Sequence, residues 1–146
     1  MKFYIYLNEL FDTKVEIKFY EYGNLCTYAF KINNKWYEVS IKETDIGAWS
    51  IAFSDELGSM EITGKGDSDT FKIFAGVIKS IKIFIKNKKP KIIYFTAKEV
   101  SRKKLYDRFA QMLVKETKFK LVNNVMIKAF IEKYNIKEKL YLFWVK

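Results

Sequence analysis

Apolar and polar side chains alternate over much of the first sixty residues. The alternation is clearest in four stretches: Val15-Ile17-Phe19, Tyr28-Phe30-Ile32, Tyr37-Val39-Ile41 and Trp49-Ile51-Phe53. A period of two places successive side chains on opposite faces of a strand, so these stretches predict antiparallel strands, with Lys2–Leu7 as a further one. Asn33-Asn34 predicts a two-residue hairpin loop, because asparagine tolerates positive φ.

From Thr70 the period changes to about 3.6 residues, which is typical of a helix. A broad apolar face recurs at this spacing, formed by Phe71, Phe74, Ile78, Ile81 and Ile85. Four lysines fall within about 80° of one another on the opposite side: Lys72, Lys79, Lys82 and Lys86. The pattern predicts a long, mostly buried helix with a solvent-facing lysine stripe, which Pro90 ends.

The remaining elements follow from shorter patterns. Lys91–Ala97 is β-branched and aromatic and predicts a central strand, which pairs in parallel with a strand near Met60 in a β-α-β unit. Further predictions are helices over 99–116 and 124–134 and strands over 119–122 and 140–145. The predicted class is α+β: one domain with a largely antiparallel curved sheet and two main helices, in which 1–63 supplies antiparallel strands and 64–146 supplies the helix-strand-helix-strand part.

Composition excludes several classes of protein. The chain is 49% hydrophobic and 18% aromatic, which is too apolar for a disordered segment. The absence of histidine removes Ser-His and Cys-His nucleophiles and HExxH zinc sites. A metal site would have to use oxygen ligands alone, and no DxDxDG-type loop is present, so no metal site is expected. Lysines interrupt every apolar run before it reaches membrane-spanning length, and no signal peptide is visible. The single cysteine, Cys26, is expected to be a buried small residue in a cytoplasmic protein.

Charge is distributed unevenly along the chain. Residues 1–69 contain 7 basic and 12 acidic residues, a net charge of −5, whereas residues 70–146 contain 20 basic and 5 acidic residues, a net charge of +15. Such asymmetry favours a basic surface that meets an anionic partner. An AT-rich coding bias accounts for the preference for lysine over arginine, but it does not account for the clustering of acids in one half.

The loop between the strand near Met60 and the long helix reads Gly64-Lys65-Gly66. Over residues 48–146 the order of elements resembles the GNAT family of acyl-CoA N-acyltransferases, in which an R/Q-x-x-G-x-G/A loop at this place binds the pyrophosphate of coenzyme A. In that family a splayed strand follows, which Lys91–Ala97 resembles. Leu105-Tyr106 resembles the end of its tyrosine motif. The resemblance implies acetyl-CoA at Gly64, Lys65 and Gly66, and Tyr106 as the acid that protonates the thiolate.

The same loop also has a purely structural interpretation. Glu61 stands where the family has Arg or Gln, and Asp67 and Asp69 place negative charge where a pyrophosphate needs positive potential. Ser68 or Asp69 can instead cap the first amides of the long helix. Tyr106, likewise, has the spacing of a boundary residue on an amphipathic helix.

Basic residues crowd the helix that carries Tyr106, and the lysine stripe adds to them. The predicted partner-binding residues are Lys98, Arg102, Lys103, Lys104, Arg108, Lys79, Lys82 and Lys86. Nucleic acid and an acidic protein surface are both physical partners, and a homodimer through the acidic half is a third arrangement. Exposed aromatic residues among the charges would favour nucleic acid. A solvated face without a partner is the bland alternative.

The sequence therefore predicts a small cytosolic binding protein with a GNAT-like fold and no acyltransferase activity. It engages nucleic acid or an acidic protein through a basic helix face, without a cofactor and without a membrane. The alternative is an active N-acyltransferase that uses acetyl-CoA. Small size, AT-rich composition and a degenerate motif also resemble small phage-encoded proteins.

Overall fold

The computed structural model describes residues 2–10, 13–45, 47–55, 68–97, 103–117, 119–122 and 124–145. Within these residues the chain forms eight strands and three helices, which confirms the α+β class. The chain divides into two compact units. The first contains Met1–Glu43 and Ile51–Lys89, and the second contains Thr44–Ser50 and Pro90–Lys146.

The first unit combines a run of strands with one long helix. Its elements are β1 (Lys2–Leu10), β2 (Thr13–Tyr22), β3 (Leu25–Ile32), β4 (Lys35–Asp45), β5 (Ala48–Asp55) and α1 (Ser68–Lys88). The end of β4 and the start of β5 belong to the second unit. The strand order is β1-β2-β3-β4-β5, and β1, β2, β3 and β4 pair successively in antiparallel fashion. The five strands predicted for this part of the chain are confirmed.

Two-residue loops set the register of the β2–β3 and β3–β4 hairpins. Asn33 and Asn34 have φ values of 51° and 63°, the positive pair that a type I′ turn requires, so the predicted hairpin loop is confirmed. Gly23 has a φ of 59° in the preceding loop. The neighbouring Asn24 ties that loop to β4, because its side-chain amide donates to the carbonyl oxygen of Glu43 at 3.1 Å while its own carbonyl accepts the amide of Glu43 at 3.0 Å.

A close approach between α1 and β3 forms the centre of the first unit. Gly76 of α1 lies against the ring of Phe30, which is completely buried. A Cβ added at Gly76 would lie 2.4 Å from the Cε2 atom of that ring, so glycine is needed there. The buried hydroxyl of Ser80 donates to the carbonyl oxygen of Gly76 at 2.8 Å and is thereby satisfied inside the helix.

The end of α1 is a left-handed cap. Lys89 has a φ of 47°, its amide donates to the carbonyl oxygen of Ile85 at 2.9 Å, and Pro90 follows directly. This is the αL motif that commonly closes helices, here with lysine where glycine is usual. Lys88 forms an ion pair with Glu21 of β2.

Cys26 is buried on β3, as the sequence predicts, with 1% of its surface exposed. Burial raises the pKa of its thiol to about 11, because the thiolate would be poorly solvated; nearby Lys88 acts in the opposite direction. The thiol is therefore protonated at neutral pH and has little nucleophilic character.

The second unit builds a sheet with helices on both sides. Besides the start of β5 its elements are β6 (Ile92–Ala97), α2 (Lys103–Thr117), β7 (Lys120–Leu121), α3 (Asn124–Tyr134) and β8 (Lys139–Trp144). The strand order is β5-β6-β8-β7, in which β5 and β6 are parallel and the other pairs antiparallel. The parallel partner of β6 is thus β5; the residues near Met60, where the prediction placed that strand, lie outside the described residues.

Neighbouring residues of β6 contact different helices. The ring of Tyr94 meets Phe130 of α3 at a centroid distance of 4.8 Å, and the ring of Phe95 meets Phe109 of α2 at 5.5 Å. Since successive side chains of a strand point to opposite faces, α2 and α3 pack on opposite faces of this sheet. The structure thus confirms β6 as a strand buried on both sides.

Helix α3 ends in a Schellman motif. Asn135 has a φ of 51°, and the amide of Ile136 donates to the carbonyl oxygen of Ile131 at 3.1 Å. Both isoleucines pack against the cluster formed by Tyr94, Val122, Leu140 and Leu142, which is the hydrophobic contact expected of this motif. The predicted bounds of this helix, 124–134, are confirmed.

The close approach at Gly76 predicts the effect of a single methyl group. Gly76→Ala should lower the free energy of unfolding by about 1–3 kcal/mol, because the overlap with Phe30 outweighs the better helix propensity of alanine. Urea denaturation would measure the change. Combining it with Phe30→Leu should recover part of the loss in a double-mutant cycle, and a Gly76→Ala protein as stable as the parent would contradict the packing described.

Candidate anionic-partner interface

The two faces of α2 differ sharply in chemistry. Its inner face consists of Tyr106, Phe109, Ala110 and Leu113, all at most 6% exposed. Its outer face carries Arg108, Gln111 and Lys115, all exposed, at the spacing of three and four residues that forms one stripe along a helix. Lys104 occupies the position one turn before Arg108 on the same stripe. We call these four positions the α2 stripe.

Phe95 fixes the orientation of this helix. Its ring stacks on Tyr141 at 4.8 Å and lies 5.8 Å from Phe143, both on β8, and it also contacts Tyr106 and Phe109. Five aromatic rings therefore join the inner face of α2 to two adjacent strands. Rotating the helix about its axis would expose these rings to water, so the cationic side stays outward.

The carboxylate of Asp107 lies beside the α2 stripe and accepts a hydrogen bond from the sheet underneath. The hydroxyl of Tyr141 donates to Oδ1 of Asp107 at 2.5 Å. The pKa of Tyr141 lies far above its ordinary value, first because the phenol is buried and second because it donates to this carboxylate. The Nζ atom of Lys139 lies 5.7 Å from the centre of the Tyr141 ring. Asp107 thus has a hydrogen-bond donor within the protein.

Tyr106, the predicted catalytic acid, lies on the inner face of α2. It is 6% exposed, and its ring centroid lies 6.2 Å from that of Phe95. This is the environment of a core residue with a polar end. Its catalytic role stays a prediction.

The predicted partner-binding residues fall into three groups. Arg108 is exposed on α2, where Lys103 and Lys104 form the first turn. Lys82 and Lys86 are exposed on α1, whereas Lys72 and Lys79 are half-buried, so the predicted solvent-facing lysine stripe is confirmed at Lys82 and Lys86. Lys98 and Arg102 lie outside the described residues, and so do Gly64, Lys65 and Gly66, the predicted cofactor-binding residues.

Sequence reasoning missed a second polar cluster, at the end of α3. Oδ2 of Asp45 accepts hydrogen bonds from Nζ of Lys133 at 2.8 Å and from the hydroxyl of Tyr134 at 2.7 Å. These bonds raise the pKa of both Lys133 and Tyr134. Next to Asp45, the hydroxyls of Thr44 and Tyr94 lie 2.8 Å apart. The cluster fastens α3 to the end of β4, and no local pattern announces it because its partners are nearly ninety positions apart.

The part of the chain that the structure describes contains neither a cluster of metal ligands nor a membrane-spanning helix. In it no group of three or more His, Cys, Asp or Glu side chains could hold a metal ion. None of its helices is both long and apolar enough to cross a membrane.

Fold and site together define an α+β protein with a mixed, mostly antiparallel sheet and a cationic helix face. The chain belongs to the family of unknown function DUF6934, whose model matches residues 18–146. The match includes α1, α2 and all of β3 to β8, whereas β1 lies before it. No curated protein and no solved structure matches the chain. The GNAT-like assignment is therefore still a prediction.

The bond between Tyr141 and Asp107 predicts a pH-dependent effect. Tyr141→Phe should lower the free energy of unfolding by about 1–2 kcal/mol at pH 7, since a half-buried carboxylate loses its donor. Tyr141 keeps its proton in the folded state, whereas an unfolded tyrosine loses it near pH 10. The stability that the phenol contributes is thus lost as the pH rises above about 10, and the difference between the two proteins should narrow there.

Urea denaturation at pH 7 and pH 10.5 measures this difference. Tyr22→Phe is the matched control, because Tyr22 is 74% exposed and the change should leave stability within about 0.5 kcal/mol. An identical effect of both variants would refute the structural role of the Tyr141 hydroxyl.

Proposed function

We propose that this protein binds an anionic macromolecule, either nucleic acid or the acidic surface of another protein, through the α2 stripe. In this proposal the protein is not an enzyme, and the fold holds the basic residues of α2 at the surface. Its single, buried cysteine suits a reducing compartment, and we place the protein in the cytoplasm.

One observation carries the proposal: the described cations of α2 lie on its exposed side, while the neighbouring carboxylate accepts a hydrogen bond from Tyr141. Arg108 and Lys115 are exposed, and Asp107 is half-buried with the Tyr141 hydroxyl as its donor. Because Asp107 already accepts a hydrogen bond from Tyr141, it competes less with a bound anion for the guanidinium group of Arg108. Arg108 and Lys115 therefore contribute a positive potential to this face.

The start of α2 adds to that potential. A helix N-terminus has a partial positive charge, so acidic residues are favoured in the first turn and basic ones are disfavoured. Here the first turn contains no acidic residue and begins with Lys103 and Lys104. This arrangement costs helix stability and gains attraction for anions, which supports a role in binding.

The acyltransferase alternative receives less support from the described residues. A general acid must come within hydrogen-bond distance of the group that it protonates. Tyr106 is 6% exposed and packs against Phe95, which leaves little surface for that contact. Titration with acetyl-CoA by calorimetry tests this alternative directly: micromolar binding that is lost in Gly66→Asp would favour it over the binding role.

The proposal predicts how binding changes with salt. Affinity for a fluorescent duplex and for polyglutamate would be measured by anisotropy at several salt concentrations. If duplex DNA is the partner, the slope of log K against log salt should fall by about 0.9 for each lost phosphate contact, hence by roughly 2 in Arg108→Gln/Lys115→Gln. If an acidic protein is the partner, polyglutamate should show the stronger binding and the same loss.

A matched control carries the same change of charge elsewhere in the second unit. Lys128 and Lys137 are exposed on α3 and after it, so Lys128→Gln/Lys137→Gln removes two charges without touching α2. An equal loss in both double variants would mean that net charge alone attracts the anion. Equal binding by the parent and the α2 variant would refute the proposal, and Lys82→Gln/Lys86→Gln tests the α1 lysines separately.

A further inference from the structure

The sheet of the first unit has one face that α1 does not cover. Phe30, on the covered face, lies against Gly76 of α1. The opposite face carries the residues that alternate with the core positions of β2, β3 and β4, and we call it the open face. Its members are Glu16, Lys18, Tyr20, Tyr22, Leu25, Thr27, Ala29, Lys31, Trp36, Glu38, Ser40 and Lys42.

Trp36 is the centre of a cationic-aromatic group on the open face. Nζ of Lys18 lies 4.8 Å and Nζ of Lys31 lies 5.7 Å from the centre of its ring. Lys31 is the direct cross-strand partner of Trp36, whereas Lys18 comes from the strand beyond, β2. Lys18 pairs with Ala29 in the ladder, and the small alanine between the strands lets the lysine reach over to the indole.

The group is accessible from outside. Lys31 is exposed, and Lys18 and Trp36 are half-buried, so each of the three residues keeps some contact with solvent. Two residues along the strands from the Lys18–Ala29 pair, Tyr20 pairs with Thr27 and Thr27 pairs with Ser40. A second half-exposed aromatic ring therefore stands on the same face, beside two small hydroxyl residues that leave room around it.

We propose that the open face binds single-stranded nucleic acid, with one base stacked on Trp36 and phosphates held by Lys18 and Lys31. Aromatic rings set among cations on a sheet are what an unpaired strand requires, because bases stack on the rings and the backbone follows the charges. Duplex DNA offers phosphates without accessible base faces, and an acidic protein offers carboxylates without flat rings. Single strands alone use both parts of the group.

Two observations refine the geometry. A cation–π contact at an exposed site is weak, so a phosphate can draw either ammonium group away from the ring and leave its face to a base. Glu38 is exposed in the row that also contains Lys18 and Ala29, and a carboxylate there repels phosphates. Glu16, next to Lys31, is a second exposed carboxylate of the open face, so the phosphates are expected to lie between the two carboxylates, at Lys18 and Lys31. This inference concerns another surface than the α2 stripe and stands without it.

The test uses fluorescent oligo(dT) of 15 nucleotides and an abasic oligonucleotide of the same length and charge. Trp36→Leu should weaken oligo(dT) binding about tenfold, as expected for the loss of one stacked base, and change abasic binding little. Trp144→Leu is the matched control, since Trp144 is 38% exposed in the second unit. Lys31→Gln should lower the salt slope by about 0.7, and Glu38→Gln should tighten binding.

Each outcome decides the proposal. Selective loss in Trp36→Leu, with Trp144→Leu unchanged and abasic binding much weaker than oligo(dT) binding, would support it. Equal affinity for the two oligonucleotides, an unchanged Trp36→Leu, an equal effect of Trp144→Leu, or no binding of oligo(dT) at all would overturn it. If circular dichroism shows that Trp36→Leu does not fold, the exposed variants decide instead. Lys31→Gln should then weaken oligo(dT) binding, and Glu38→Gln should tighten it. Loss of duplex binding in the α2 variant, with oligo(dT) binding intact, would separate the two surfaces.

Discussion

Phe95 touches four other aromatic rings, two from α2 and two from β8, and the second unit is organised around this contact. Each ring contributes well over a hundred square ångströms of apolar surface, and offset or tilted packing adds to the effect of burial. Because successive strand residues point to opposite faces, the neighbouring Tyr94 packs against Phe130 of α3 on the other face of the sheet. Two consecutive residues of one short strand thereby position both helices.

The charged surface follows from this packing. An ammonium or guanidinium group is costly to bury without a partner, and with the aromatic face of α2 packed against Phe95, Arg108 and Lys115 lie on the solvent side. The Tyr141 hydroxyl has a double role in this arrangement. Its buried O–H group finds an acceptor in Asp107, and the Asp107 side chain is held in place. The Tyr141 ring itself stacks on Phe95.

Local sequence signals predict a large part of this fold. Alternation identifies the strands, Asn33-Asn34 identifies a hairpin loop, and the bounds of α3 follow from its apolar spacing, since each depends on residues close together in the chain. The left-handed cap at Lys89 escapes such reasoning because lysine is not the usual residue there. The parallel partner of β6 was placed near Met60 rather than at β5, because apolar strand signals occur in both places and sequence distance does not choose between them.

The candidate surfaces depend on register, which is harder to predict. The side chains of Trp36 and Lys18 meet across three strands, and those of Tyr141 and Asp107 join a strand to a helix thirty-four positions away. The pairing of the strands determines which lysine lies over the Trp36 ring, and the packing of α2 on the sheet determines which tyrosine donates to Asp107. Charge asymmetry is a property of composition and is visible beforehand; the geometry that turns it into a binding surface is not.

The burial of Cys26 has a practical consequence for the study of both surfaces. It is the single cysteine of the chain, and its thiol is shielded and protonated at neutral pH. A cysteine introduced at Gln111 on α2, or at Ser40 on the open face, would therefore be the one readily alkylated thiol of the folded protein. Spectroscopic labels or photo-crosslinkers can accordingly be attached to either surface without removing the native cysteine.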